Sequence, residues 1–373
     1  MLRSVVAAIP PRIAHLVYAP SPQLTVASER ALVAVMTTDG EARSQSRALG
    51  RFMLRTESVA SSKIERISAS AADYARALAG GRANSSATSM VAASAALHRL
   101  VDRAGDSGRI TADDLIAAHR TLMADDAAEA PYAGRLRDVQ NWIGGSDHSP
   151  RDALYVPPPP DLVAPLLDDL IEWAARDDVP VFAQVAIAHA QFESIHPFTD
   201  GNGRIGRALV SAILRRRGVT KTAVMPLASG ILAVRDDYFA SLTAYRTGDP
   251  TPIISIMVRA ALAAAIESRT SIGALRELPQ EWISLVDAAA GSATDRLITA
   301  LLDDPVMSGD DAVTALASTP ATAYAALDRL TEAGVVTEIT GRKRDRVWAA
   351  TDVIGELDDL DRRIQSRMLE TSA

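Results

Sequence analysis

His196-Pro197-Phe198-Thr199-Asp200-Gly201-Asn202-Gly203-Arg204-Ile205-Gly206-Arg207 runs from a polar loop into an apolar helix that continues as Ala208, Leu209, Val210, Ile213 and Leu214. These residues bring together an imidazole, a carboxylate, an amide, three glycines and two guanidiniums. A purely structural core segment has no use for that mixture. His196 offers a base that is neutral near pH 7, and Asp200 a hard oxygen ligand of the kind magnesium takes. Gly201 and Gly203 let the backbone turn where a side chain would block it, so successive N–H groups can surround an anion. Arg204 and Arg207 open the helix, where the positive end of its dipole also favours phosphate. Base, metal ligand, phosphate cradle and charge clamp in one segment describe a nucleotide site.

The surrounding composition points the same way. The chain has 373 residues, room for two or three domains and a sizeable core. Abundant alanine and few aromatics favour helices over sheets, so a mainly α fold is expected. Cysteine is absent, which excludes a disulfide framework and a thiol nucleophile. After Met1-Leu2-Arg3-Ser4 the only apolar run, Val5–Ile9, is broken by Pro10 and Pro11 and is too short for a signal peptide or a membrane span. A cytoplasmic protein without a membrane partner is expected. The net charge of −7 argues against a surface dedicated to nucleic acid.

His196–Arg207 resembles the Fic family motif, His-Pro-Phe-x-(Asp/Glu)-Gly-Asn-Gly-Arg-x-x-Arg, at every fixed position. That resemblance implies an all-helical core and transfer of AMP from ATP to a hydroxyl (Ser, Thr or Tyr) of a target protein. It implies that His196 is the general base and that Asp200 holds Mg2+ on the α- and β-phosphates. Asn202 and the amides around Gly201, Gly203 and Arg204 would hold the phosphates, and Arg207 would reach the γ-phosphate. Family relatives that phosphorylate their target carry lysine where this chain has Gly203; glycine favours the AMP-donor pose. His189, which also matches family usage, reads as a packed helix histidine, and Phe198 as packing that fixes the loop. Gly134, Arg137, Gln140, Asn141, Trp142, Ile143, Gly144 and Gly145 match the family's hairpin flap, whose strand edge would dock the target's backbone. Tyr238, Phe239, Leu242 and Arg246 correspond to the segment that walls the adenine pocket.

A second constellation, Ser61-Ser62-Lys63-Ile64-Glu65-Arg66, resembles the family's inhibitory helix, (Ser/Thr)-x-x-x-Glu-(Gly/Asn), with Ser61 and Glu65 at the defined positions. Glu65 paired with Arg207 would deny that guanidinium to a γ-phosphate. Arg66 departs from the pattern and could compete for the same carboxylate.

Along the chain, an irregular Pro-rich segment is expected up to about Arg30. Helices are expected over Ala31–Met36, Ala48–Leu54, Ala72–Leu78, Ser89–Val101, Leu115–Met123 (started by Thr111 and Asp114), Asp161–Ala175 (capped by Asp161), Val181–Ile195, Ala208–Arg217, Asp236–Arg246 and Pro252–Arg269. Gly134–Ile143 alternates like a short hairpin. The pattern from Ser292 onward resembles a winged helix-turn-helix, with Val335–Ile339 and Arg346–Ala349 as wing strands. The expected divisions are 1–105 (N-terminal extension), 106–269 (catalytic core), 270–291 (connection) and 292–373 (winged helix). Ser292–Ala350 carries nine acidic against six basic residues, and its would-be recognition helix offers only Arg329. DNA is therefore an unfavoured partner, and protein contact or a homodimer is favoured. Two alternatives to AMP transfer remain open here: removal of AMP by the same site, and a nucleotide-sensing DNA-binding regulator.

Overall fold

The computed structural model describes residues 5–45, 47–80, 84–146, 148–341 and 344–370. The helices are α1 (Pro22–Gln45), α2 (Arg47–Ile64), α3 (Ala71–Leu78), α4 (Ser85–Ser107), α5 (Ala112–Met123), α6 (Val163–Ala174), α7 (Val181–Ile195) and α8 (Asn202–Arg216). They continue with α9 (Leu227–Ala233), α10 (Arg235–Arg246), α11 (Thr251–Val286), α12 (Ala293–Asp303), α13 (Gly309–Leu316), α14 (Pro320–Glu332) and α15 (Thr351–Glu370). Three short strands, β1 (Val306–Ser308), β2 (Val336–Glu338) and β3 (Val347–Ala350), form one antiparallel sheet in the order β1-β3-β2. The expected mainly α fold is present.

At the centre lies α7, which is apolar on all sides and buried from Phe182 to Ile195, as a helix enclosed by others must be. It packs on α6, α8, α10 and α11, and α8 is held from its other side by α4. The loop 196–201 therefore joins two core helices, and whatever it carries is fixed by both. α1 lies along α11 and α2 crosses toward α8, which brings the N-terminal segment onto the helix that follows the loop 196–201. Asp39 of α1 ties this layer down by accepting the backbone N–H groups of Lys221, Thr222 and Ala223 at 2.7–2.9 Å.

Several boundaries differ from the sequence reading. The chain is helical from Pro22, not from Arg30: Ser21 accepts the Leu24 N–H, and proline suits a first turn that needs no N–H donor. Ala48–Leu54 is part of one helix running to Ile64. Asp161 is not a cap; Pro160–Leu162 forms a tight turn, and α6 begins at Val163 without a side-chain cap. α11 does not stop at Arg269 but passes through Pro279 to Val286, because Leu275, Trp282 and Val286 find buried positions. Its apolar stretch is the one described segment long enough to cross a membrane, and 67% of that window is buried in the protein. The 292–373 unit also divides. α12–α14 and the sheet form a small module, whereas α15 returns to α2, α9 and α11 and buries Val353, Leu357, Leu360, Ile364 and Met368.

Asp39→Ala leaves three backbone donors near Ala223 without their carboxylate. A loss of about 3 kcal/mol in urea unfolding is expected, and an unchanged midpoint would show that these amides find other partners.

Candidate active site

The loop 196–201 begins where α7 ends. His196 caps α7 in the left-handed conformation (φ 50°) while its N–H donates to Phe192 O at 2.8 Å, so the chain turns sharply with the imidazole at the bend. Arg137 holds this bend from outside. Its guanidinium donates to His196 O (2.8 Å), Ile195 O (3.3 Å), Val139 O and Pro158 O, and its own N–H donates to Pro197 O. Phe198 is buried and stacks on His119 at 3.9 Å between ring centroids. The Gly134 N–H donates to His119 Nδ1 (3.0 Å), which leaves Nε2–H to donate to Asp200 O (3.1 Å). Burial depresses the His119 pKa to about 4, keeping it neutral as that pattern requires.

Asn202 occupies a different role from the one expected. Its amide is buried and closes the loop on itself, Oδ1 accepting from Phe198 N–H and Nδ2 donating to Phe198 O, each at 2.9 Å. The backbone amides at the start of α8 remain as candidate donors to an anion. Gly201 caps this helix at φ 74°, a conformation that favours glycine, so the loop turns directly into the first amides of α8. Asp200 has a side chain 60% exposed and lies 3.7 Å from Arg204, which also donates to Ser89 Oγ. Among the described residues no group of three His, Asp or Glu side chains could hold a metal. A single exposed carboxylate beside a phosphate cradle still fits magnesium, which takes much of its coordination from phosphate oxygens and water.

The imidazole of His196 is mostly buried. Burial, with the Arg246 and Arg137 guanidiniums, lowers its pKa to about 4, so it is neutral and able to accept a proton. Its Nδ1 lies 4.0 Å from Glu193 Oε2. Glu193 itself is pushed up to about 7, chiefly by burial and then by Glu65. The sequence reading assigned no role to Glu193 or His119, and placed Arg137 only in the flap. For Glu193 the three-residue spacing to His196 at a helix end was an available signal.

Arg207 is buried and turned toward α2. It donates from Nε to Ser61 Oγ (2.8 Å) and from its terminal nitrogens to Ser61 O (2.9 Å) and Glu65 Oε1 (2.7 Å). The Glu65 side chain is 35% exposed. Burial opposes its ionisation, but Arg207, with Arg204 and His196 behind it, holds the carboxyl below the ordinary glutamate range. A β-carbon at Gly203 would collide with Glu65 Oε1, so the carboxylate sits directly over the first turn of α8. Glu65 ends α2: Ile67 N–H bonds Ser62 O and Arg66 N–H bonds Lys63 O, a paired C-terminal closure that puts Arg66 at φ 61°. That geometry is why glycine or asparagine suits the position after the glutamate. Among the described residues Arg66 makes no ion pair, so it does not compete with Arg207 for Glu65.

The flap also departs from expectation. Gly134–Ile143 does not fold on itself; Ile143 pairs with Tyr155 across Gly144 and Gly145, both at φ 76°. Gln140 Nε2 donates to Pro157 O, Asn141 Nδ2 to Phe198 O and Trp142 Nε1 to Ser146 O. Trp142 and Gly144 pair with no backbone group among the described residues, which leaves one edge free. Tyr238 is not on an open wall: it is fully buried, its hydroxyl 2.8 Å from His189 Nε2, which bears out the packed reading of His189. Phe239 is 39% exposed and remains available, under the Arg235 guanidinium.

This loop, cradle and flap lie within one recognisable unit. Residues 109–214 match the model described as the Fic/DOC family. Among curated relatives, protein adenylyltransferase Fic of Nematostella vectensis is 33% identical over 156 residues, covering 41% of this chain and 33% of that protein. Protein adenylyltransferase fic-1 of Caenorhabditis elegans is 29% identical over 153 residues, covering 40% and 27%. The matched part thus spans about a third of these relatives or less. Among solved structures, a Fic family protein from Desulfovibrio desulfuricans G20 aligns with TM-score 0.57 at 24% identity, covering 90% of this chain and 97% of that one. At that identity the likeness shows the all-helical fold, with its N- and C-terminal additions.

The buried carboxyls give the site a pH signature. Glu57, which accepts the Ala228 N–H at 2.8 Å, is also raised to about 7 by burial. Glu57 and Glu193 hold protons in the folded state that the unfolded chain releases near 4.5, so their contribution is complete below that pH and lost as pH rises through 7. The buried imidazoles act oppositely, on the acid side of about 6.5. Stability should therefore fall from about pH 6.5 to 8, and Glu57→Gln/Glu193→Gln should remove that fall in urea midpoints. An identical slope in both proteins would assign the titration elsewhere.

Proposed function

We propose that this chain transfers AMP from ATP to a hydroxyl of a protein, including itself, and that Glu65 restrains it. The observation that carries this reading is a neutral, buried His196 at the mouth of a helix-start cradle whose guanidinium, Arg207, is already bound to an anion. The names of the matched relatives support the transfer direction over AMP removal. The hydroxyl oxygen attacks the α-phosphorus, its proton passes to His196 Nε2, and the bond to the β-phosphate oxygen breaks to release pyrophosphate. His196 Nδ1 faces Glu193, whose carboxylate favours the imidazolium that forms. The free amides of α8 bind phosphate, and Asp200 would hold Mg2+, which when bound neutralises phosphate charge. Trp142 and Gly144 offer the flap edge on which a target segment can lie as an added strand.

DNA remains the less favoured partner of the C-terminal module. Arg329 on α14, although exposed, is engaged at the end of α11, donating to the Val286 and Asp287 carbonyls. Arg342 and Lys343, which could contact phosphate from a wing, lie outside the described residues. Contact with protein is the better reading of this module.

Incorporation of labelled AMP tests the scheme. His196→Ala should abolish labelling while ATP still binds, because the proton acceptor is lost and the cradle is kept. Glu65→Gly should raise self-labelling by freeing Arg207. Arg66→Gly should lower it, because glycine relieves about 1 kcal/mol of left-handed strain and steadies the end of α2. Substantial labelling by His196→Ala would remove the base assignment. Equal labelling by wild type, Glu65→Gly and Arg66→Gly would reduce Glu65 to an ordinary ion pair.

A further inference from the structure

The helix that carries Glu65 is also one wall of a cavity on its other side. Between α2, α3 and α15 lies a partly enclosed space of about 200 Å3. That exceeds the roughly 150 Å3 that holds a benzene ring in an engineered protein cavity. Its apolar lining comes from Val59, Tyr74, Met90 and Leu357, and its polar end from Lys63 and Asp361. Asp361 is 5% exposed, and Lys63 Nζ engages its Oδ2 at 2.9 Å. Its Oδ1 is buried with no hydrogen-bond partner. Asp358 adds a second carboxylate to the lining, so the three charged groups sum to one negative charge. A buried acceptor without a donor is a costly arrangement that a ligand's donor would relieve.

We propose that this cavity between α2 and α15 is an effector site for a small organic cation, a primary ammonium on a compact apolar body. The ammonium donates to Asp361 Oδ1 and the body fills the space against Val59, Met90 and Leu357. The shape of the site depends on α2 being seated, since Val59 and Lys63 both come from it. A ligand that binds only this arrangement favours it by its differential affinity. Lys63 lies two residues before Glu65, so occupancy holds Glu65 on Arg207 and deepens restraint. The consequence for labelling rests on the proposed AMP transfer; the binding itself does not.

Calorimetric titration of the full chain with benzylamine, benzyl alcohol and benzoate tests the site, with Asp361→Asn and Ala69→Phe as variants. Ala69 lies on the cavity wall outside the helices, so its enlargement fills the space without entering the core. Benzylamine should bind the wild type saturably, benzyl alcohol about tenfold or more weakly, since a charge-assisted bond is lost. Benzoate should not bind, Asp361→Asn should weaken benzylamine by a similar factor, and Ala69→Phe should abolish its binding. If Asp361→Asn fails to fold, the alcohol and Ala69→Phe arms decide. No saturable benzylamine binding, or equal binding to Ala69→Phe, or equal affinity for amine and alcohol, would overturn the assignment. Benzylamine should also lower self-labelling of the wild type and leave that of Ala69→Phe unchanged. Binding without any labelling by either protein would count against the proposed transfer and not against the cavity.

Discussion

Arg207 is a guanidinium buried in the first turns of α8, and a buried charge must be paired. It donates three hydrogen bonds to Ser61 and Glu65 at the end of α2. The arrangement of the whole N-terminal half follows from that need. α2 must cross α8 at the height of Gly203, and α1 must be anchored so that α2 is delivered there. The end of α2 must close abruptly at Glu65 so that the carboxylate, and not the next turn of helix, fills the space over Gly203. A phosphate offers the same chemistry as that carboxylate, an anionic oxygen facing the guanidinium. Under the proposed function, Glu65 and a phosphate are then alternative partners for the same guanidinium.

A second constraint acts on the proposed base. His196 sits where α7 ends, with Arg137 binding the carbonyls around it and Arg246 close by. Those cations, together with burial, keep the imidazole uncharged. Glu193 offsets them on the Nδ1 side with a carboxyl that titrates near neutrality. Arg137 thus both holds the loop's shape and contributes to its charge.

The sequence made the candidate groups legible because their chemistry is unusual for a core: His196, Asp200, the glycines and Arg207 could be singled out before any fold was known. Glu65 was legible for the same reason, as a carboxylate at a defined spacing from Ser61. What was hidden depended on tertiary placement. Asn202 reads as a phosphate ligand, yet its amide closes on Phe198, a contact only the folded loop reveals. Tyr238 and Phe239 are neighbours on α10, and only packing decides that the first enters the core and the second does not. Arg66 reads as a competing cation until the left-handed backbone shows that the position is about turning the chain. β1 is three residues between Pro305 and Gly309, too short to carry a period. Pro279 marks a helix end by local rules, and burial of Trp282 overrides them.

The central claim is that Glu65 and the γ-phosphate contend for one guanidinium. Calorimetric titration of ATP and ADP into wild type and Glu65→Gly addresses it without any turnover. ATP should bind the variant about tenfold or more tightly than the wild type, the loss of one charged competitor, while ADP gains clearly less. Equal gains for ATP and ADP, or none for ATP, would contradict it.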